Sequence, residues 1–135
     1  MIIALINWRI LPDMENDFLH TWKTELRLET ATGLIGEFLR RVEGTEFAPL
    51  VTWEMEPDDR DTPAEWRSDN YISYVNVGIW ERYEDFHNAV AKNMSQGRTL
   101  GKAFEAAPRR RAVLTAEHWR RGNSALPAET SPGVL

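Results

Sequence analysis

In the stretch "YVNVGIW" an asparagine, Asn76, stands four residues before a tryptophan, Trp80. Val75, Val77 and Ile79 alternate with them, which reads as a strand carrying Tyr74, Asn76, Gly78 and Trp80 on its second face. A spacing of four keeps amide and indole on one side, roughly 13 Å apart along the strand. An amide among apolar walls costs about 1–3 kcal/mol when nothing bonds it. Asn76 therefore either satisfies neighbouring backbone or meets a polar atom of a ligand. Asn7, in "MIIALINWRI", occupies an odd position with Ile3 and Leu5 and is expected to join the same pocket. Two asparagines and a tryptophan converging between sheet and helices suit a small-molecule site.

Other chemistries find less support in the chain. There is no cysteine, which excludes a disulfide framework, a thiolate metal site and a thiol nucleophile, and fits a reducing compartment. His20, His87 and His118 lie far apart without metal-ligand spacing, so no metal is expected. Asp58, Asp59 and Asp61 read as a solvated loop, and neither Ser73 nor Ser95 has a nucleophile's context. A net charge of −5 opposes nucleic acid as the main partner, despite the local runs Arg109–Arg111 and Arg120–Arg121. The first of these runs suits surface or interface ion pairs. The opening residues lack the basic flank and cleavage site of a signal peptide. No apolar run approaches the ~20 residues a membrane helix needs, so the expectation is a cytoplasmic protein without membrane contact.

The elements that must position these residues follow from periodicity. Residues 2–10 read as a strand ended by Pro12. Asp13 is a candidate helix N-cap with Glu15 in the first turn. Met14, Phe18, Trp22 and Leu26, with Leu19 beside them, form the stripe of a helix of four to five turns that Gly33 closes. Residues 34–42, "LIGEFLRRV", are a second strand, and 71–80 a third. Between them, 43–69 is an insertion in which "FAPLVTWEM" offers an extra strand and "EPDDRDTPAEW" an acidic loop, either a lid or a tolerated surface excursion. Tyr83, Phe86, Val90 and Met94 give a second helical stripe that Gly97 interrupts; Leu100 to Ala107 form a short further helix that Pro108 stops. Residues 110–119 are the last strand. The domain thus spans 1–120, followed by a flexible tail, 121–135.

This order, strand–helix–strand–strand–helix–strand, predicts an α+β fold: a ferredoxin-like split βαβ with an antiparallel sheet and helices on one face. Both sheet faces are apolar while helices cover only one. The other is expected to pair with a second copy, giving a homodimer through the sheet.

The segments "INWRILPDMENDFLHTW" and "VNVGIWERYEDFHNAV", with Trp80-Glu81 and Phe86 as a W-E-x-x-x-x-F element, resemble the antibiotic biosynthesis monooxygenase superfamily of dimeric α/β barrels. The likeness covers residues 1–119 outside the insertion. One branch oxidises anthrones to quinones with O₂ and no cofactor, and carries an asparagine four residues before the tryptophan, as Asn76 and Trp80 do here. It implies that the amide stabilises the enolate of the substrate, whose carbanion then gives an electron to O₂. The aromatic hydroxyl of that branch is replaced by Phe86, and its arginine has Arg98 as nearest counterpart. A second branch degrades haem and carries an asparagine late in the first strand, matched by Asn7, with the same tryptophan. Its iron-binding histidine falls where Val90 stands, with His87 the nearest histidine, and iron without an axial ligand lacks an anchor. The resemblance therefore implies Asn76, Trp80 and Asn7 as catalytic residues and Phe86, Tyr74, His87 and Arg98 as substrate contacts. The implied substrate is an electron-rich aromatic molecule oxidised without cofactor. Haem binding and a non-catalytic ligand-binding dimer are the alternatives.

Overall fold

The computed structural model describes residues 1–26, 28, 30–42, 54–55 and 70–125, with backbone only at 54–55, 92–102 and 108. Its elements are β1 (Ile2–Ile10), α1 (Glu15–Thr24), β2 (Leu34–Val42), β3 (Glu54–Met55), β4 (Ile72–Trp80), α2 (Tyr83–Phe104) and β5 (Glu105–Thr115). The strands form one sheet in the order β2-β4-β1-β5-β3, with every neighbouring pair antiparallel. Since β4 lies between β1 and β2, the first βαβ unit is split, as the element order predicts.

Register decides what each face carries. Ile2 pairs with Trp80, Ile6 with Asn76 and Trp8 with Tyr74, so even positions of β1 share a face with even positions of β4. The helices cover that face. At one end Trp8, Ile10 and Tyr74 pack with Phe18 of α1 and Phe104 of α2. At the other, Ile2, Ala4 and Trp80 pack with Phe86, and Ile6 touches both clusters. Phe18 is the hub of the first cluster, with tilted ring contacts to Trp8 at 5.2 Å and Tyr74 at 5.3 Å. The opposite face carries Leu5, Asn7, Val75 and Val77, and at its margins Phe38 and Leu114, both exposed.

Four local expectations need correction. Pro12–Met14 form a 3₁₀ turn, and Asp13 lies inside it without capping the helix through its side chain. α1 then ends at Thr24, well short of Gly33, where the Thr24 hydroxyl donates back to the His20 carbonyl and competes with the helical ladder. Gly33 instead immediately precedes β2, with φ +82, in a turn where a Cβ would strike Asp85. Gly97 does not interrupt α2, which runs unbroken to Phe104. One interior glycine costs only about 1 kcal/mol relative to alanine, and the buried Phe104 anchors the far end.

Pro108 ends no helix; it lies within β5, where the register slips between Asn7↔Arg110 and Arg9↔Ala107. A bulge is where a strand tolerates proline. A second slip follows between Arg9 and Ile10. The two bulges bring Glu105 and Arg109 together, with Arg109 Nε donating to Glu105 Oε1 at 2.6 Å. The Arg109 guanidinium also covers the Trp8 ring at 4.2 Å from its centroid. Of the expected extra strand in the insertion, Glu54–Met55 is present on the edge beside β5. The rest of 43–69, including the acidic residues at 58–61, and the tail from 126 lie outside the described residues.

Candidate functional site

Asn76 stands midway along the helix-covered face of β4, between Ile6 of β1 and Leu39 of β2. It is 8 % exposed. Its Nδ2 donates to Glu37 Oε1 at 2.7 Å, while its Oδ1 is fully buried and accepts no hydrogen bond. Glu37 belongs to β2 opposite Gly78, at the parity that turns it toward the same face. In the interior the only other orphaned side-chain atom among the described residues is Trp8 Nε1, a donor. Trp8 pairs with Tyr74, so it is the diagonal neighbour of Asn76 on this face. Among the described residues the interior thus holds one acceptor and one donor without partners, each carrying a desolvation cost of about 1–3 kcal/mol.

Trp80 is buried at the end of β4 and meets Phe86 edge-on, with centroids 5.7 Å apart. Its indole folds back along the strand over Gly78. A Cβ at that glycine would come 2.8 Å from Trp80 Nε1. The missing side chain at 78 is what lets the tryptophan lie along β4 in the direction of Asn76. Phe86 itself is buried, and Val90 packs beside it, half-buried. The start of α2 is held by Arg82, which grips the buried Asp85 carboxylate through Nε and Nη2 at 3.0 and 2.9 Å.

The expectation that Asn7 joins Asn76 is overturned. Asn7 pairs with Val75 and so projects from the opposite face. Odd positions of β1 meet odd positions of β4 in this register, and an even-numbered asparagine cannot share their side. Asn7 is also satisfied locally: its Nδ2 donates to Ser73 Oγ at 2.6 Å and to the Tyr74 carbonyl at 3.2 Å. Tyr74 does face the helices, but its hydroxyl is engaged by Glu15 Oε1 at 2.5 Å, and Arg41 approaches the same oxygen at 3.2 Å. Burial, then the Glu15 contact, pushes this phenol above its ordinary range. His87 is exposed and stacks on Tyr83, with centroids 5.8 Å apart, away from the buried face. Arg98 lies in the part of α2 described by backbone only.

These placements bear on haem. Asn7 and Trp80 stand on opposite faces and His87 packs at the surface, so the residues that suggest haem do not frame one site. Among the described residues no group of three or more His, Asp or Glu could hold a metal ion, and no helix is long and apolar enough to cross a membrane. Sequence reasoning overlooked Glu37 and the Trp8 indole. For Glu37 a signal exists: it is the one acid inside "LIGEFLRRV", two residues from Leu39 and so on the core side of its strand.

No protein-family model matches the chain, and no curated protein matches it. Among solved structures it is similar to a mutant of SnoaB, a cofactor-independent oxygenase from Streptomyces nogalater, at 15% identity. The TM-score is 0.49, and the match covers 87% of this chain and 95% of that one.

Proposed function

We propose that this protein is a cofactor-independent monooxygenase for an electron-rich aromatic molecule of anthrone or quinol type. The observation that carries the proposal is the buried, unpartnered Oδ1 of Asn76, on the same strand face as Trp80. A core position filled by a leucine would cost nothing of this kind. An amide kept there with one end unsatisfied is best accounted for by a ligand that completes it. The donor left on Trp8 suits a ligand that also carries a carbonyl. Hydroxyaryl ketones combine both groups on a flat ring.

In the proposed reaction the substrate binds between sheet and helices, with its oxygen at Asn76 and its ring against Trp80 and Phe86. Loss of a proton to solvent gives the resonance-stabilised carbanion. One electron passes from it to O₂, and the resulting radicals combine at the ring carbon. A ring methylene and O₂ become a ring carbonyl and water, which balances without metal or flavin. The protein's part is to orient the ring and exclude water, so that the anion meets O₂ in a low-dielectric interior.

The partner surface belongs to the same proposal. Phe38 and Leu114 are exposed on the helix-free face, 42% and 47%, and we assign that face to a second copy of the chain.

Oxygen uptake on a panel of anthrones and hydroquinones tests the activity. Asn76→Ala is expected to lower kcat/KM at least tenfold with little change in melting temperature, since it removes an unsatisfied group. Turnover that survives both Asn76→Ala and Trp80→Phe would show that the reaction lies elsewhere.

A further inference from the structure

We infer that Glu37 sets the hydrogen-bonding sense of the site, so that it takes the hydroxyl-bearing form of an aromatic ligand in preference to the ether or the ketone. This rests on the proposal that the interior beside Asn76 receives an aromatic ligand, and it adds which form of that ligand is selected. An asparagine amide has a donating end and an accepting end that differ little in shape. What distinguishes them here is the carboxylate of Glu37, an acceptor when ionised, at 2.7 Å from Asn76 Nδ2. Turning the amide over would bring Oδ1 against Oε1, two acceptors at hydrogen-bond distance with no proton between them. The amide is therefore held with its oxygen inward, and that oxygen is the buried atom without a partner. An inward acceptor completes its hydrogen bonding with an O–H. Against an ether or carbonyl oxygen it faces a second acceptor.

Glu37 acts through Asn76 and is a positioning residue. The family resemblance implies that the asparagine amide stabilises an enolate, which only its N–H groups could do. One of those N–H groups is committed to Glu37, so the first contact is better matched to the neutral phenol or enol that precedes the anion.

Three probes of similar size separate the possibilities: 1-naphthol, 1-methoxynaphthalene and 1-tetralone, titrated into the full chain by calorimetry. The wild-type protein should bind 1-naphthol about tenfold more tightly than either of the others, the scale of one buried hydrogen bond. In Glu37→Gln the new side-chain amide can donate to Asn76 Oδ1 and free the asparagine NH₂ for the ligand. The preference should then collapse or invert toward 1-tetralone by a comparable factor. Loss of packing at position 37 would weaken all three probes together and would not invert their order. Equal binding of 1-naphthol and 1-methoxynaphthalene by the wild-type protein overturns the inference while leaving the aromatic site standing, and this arm does not depend on the variant folding. A variant that folds and keeps the wild-type order overturns it as well. If no probe binds saturably, both the inference and the aromatic-site proposal fall.

Discussion

Replacing Gly78 by alanine tests how the site is built. The added Cβ would stand 2.8 Å from Trp80 Nε1 and 3.4 Å from Cδ1. Carbon–nitrogen contacts in a packed interior do not approach 2.8 Å, so the indole or the strand must move. Trp80 has little room, being 2% exposed and fixed by Phe86, Ile2 and Ala4. Overpacking of this kind costs about 1–3 kcal/mol. Against it stands the gain of about 0.5–1 kcal/mol from removing a glycine from a strand interior. The net runs from about zero to a loss of about 2.5 kcal/mol. At about 4 °C per kcal/mol for a chain of this length, the melting temperature should fall by up to about 10 °C.

The sign of the effect should reverse when the tryptophan is removed. In a Trp80→Leu background the clash is gone and only the backbone term is left, so Gly78→Ala should stabilise that variant by about 0.5–1 kcal/mol. A double-mutant cycle in thermal unfolding therefore yields a coupling of about 1–3 kcal/mol between positions two apart on one strand. Because displaced Trp80 would no longer lie along β4 in the direction of Asn76, oxygen uptake should fall in Gly78→Ala at temperatures where the protein is fully folded. A rise in melting temperature in the wild-type background, or the same shift in both backgrounds, would refute the packing of Trp80 over Gly78.

Two further outcomes are expected. Tyr74 is neutral in the folded state well beyond the ordinary tyrosine range, because burial and Glu15 raise its pKa. Its contribution is complete below the unfolded value near pH 10 and is lost as pH rises through the raised folded value. The melting temperature should therefore decline less steeply from about pH 9 to about pH 11 in Tyr74→Phe than in the wild-type protein, and parallel declines would count against the buried phenol. Sedimentation equilibrium should show a wild-type dimer that becomes a monomer in Phe38→Lys/Leu114→Lys with its far-ultraviolet circular dichroism unchanged. A wild-type monomer at micromolar concentration would remove the sheet-face assignment.

Strands were the most legible part of the sequence. The spans 2–10 and 34–42 match β1 and β2, because alternation and β-branched residues mark them locally. Element ends were less legible, since tertiary contacts decide them. Gly97 reads as a break only if the far end of its helix is unsupported, and Phe104 supports it. Pro108 reads as a stop only if β5 is regular, and the bulges make it irregular. The face carrying Asn76, Trp80 and Tyr74 could be inferred from parity within one strand. What parity cannot supply is the register between strands, and that alone separates Asn7 from Asn76.

The two asparagines show why residue type is a weaker guide than hydrogen-bond completeness. Both are buried, Asn7 at 4% and Asn76 at 8% exposure, and both lie mid-strand. Asn7 spends its NH₂ on a neighbouring hydroxyl and a carbonyl, which joins β1 to β4 and leaves that group no role beyond the sheet. Asn76 spends its NH₂ on Glu37 and leaves an oxygen with nothing to accept. The folded chain is stabilised by the first arrangement and penalised by the second. A penalty of about 1–3 kcal/mol is a sizeable share of a domain's net stability of about 5–15 kcal/mol. An apolar side chain at 76 would avoid it. The arrangement becomes favourable only when a donor reaches Oδ1, which is why we propose the ligand contact at Asn76 rather than at Asn7.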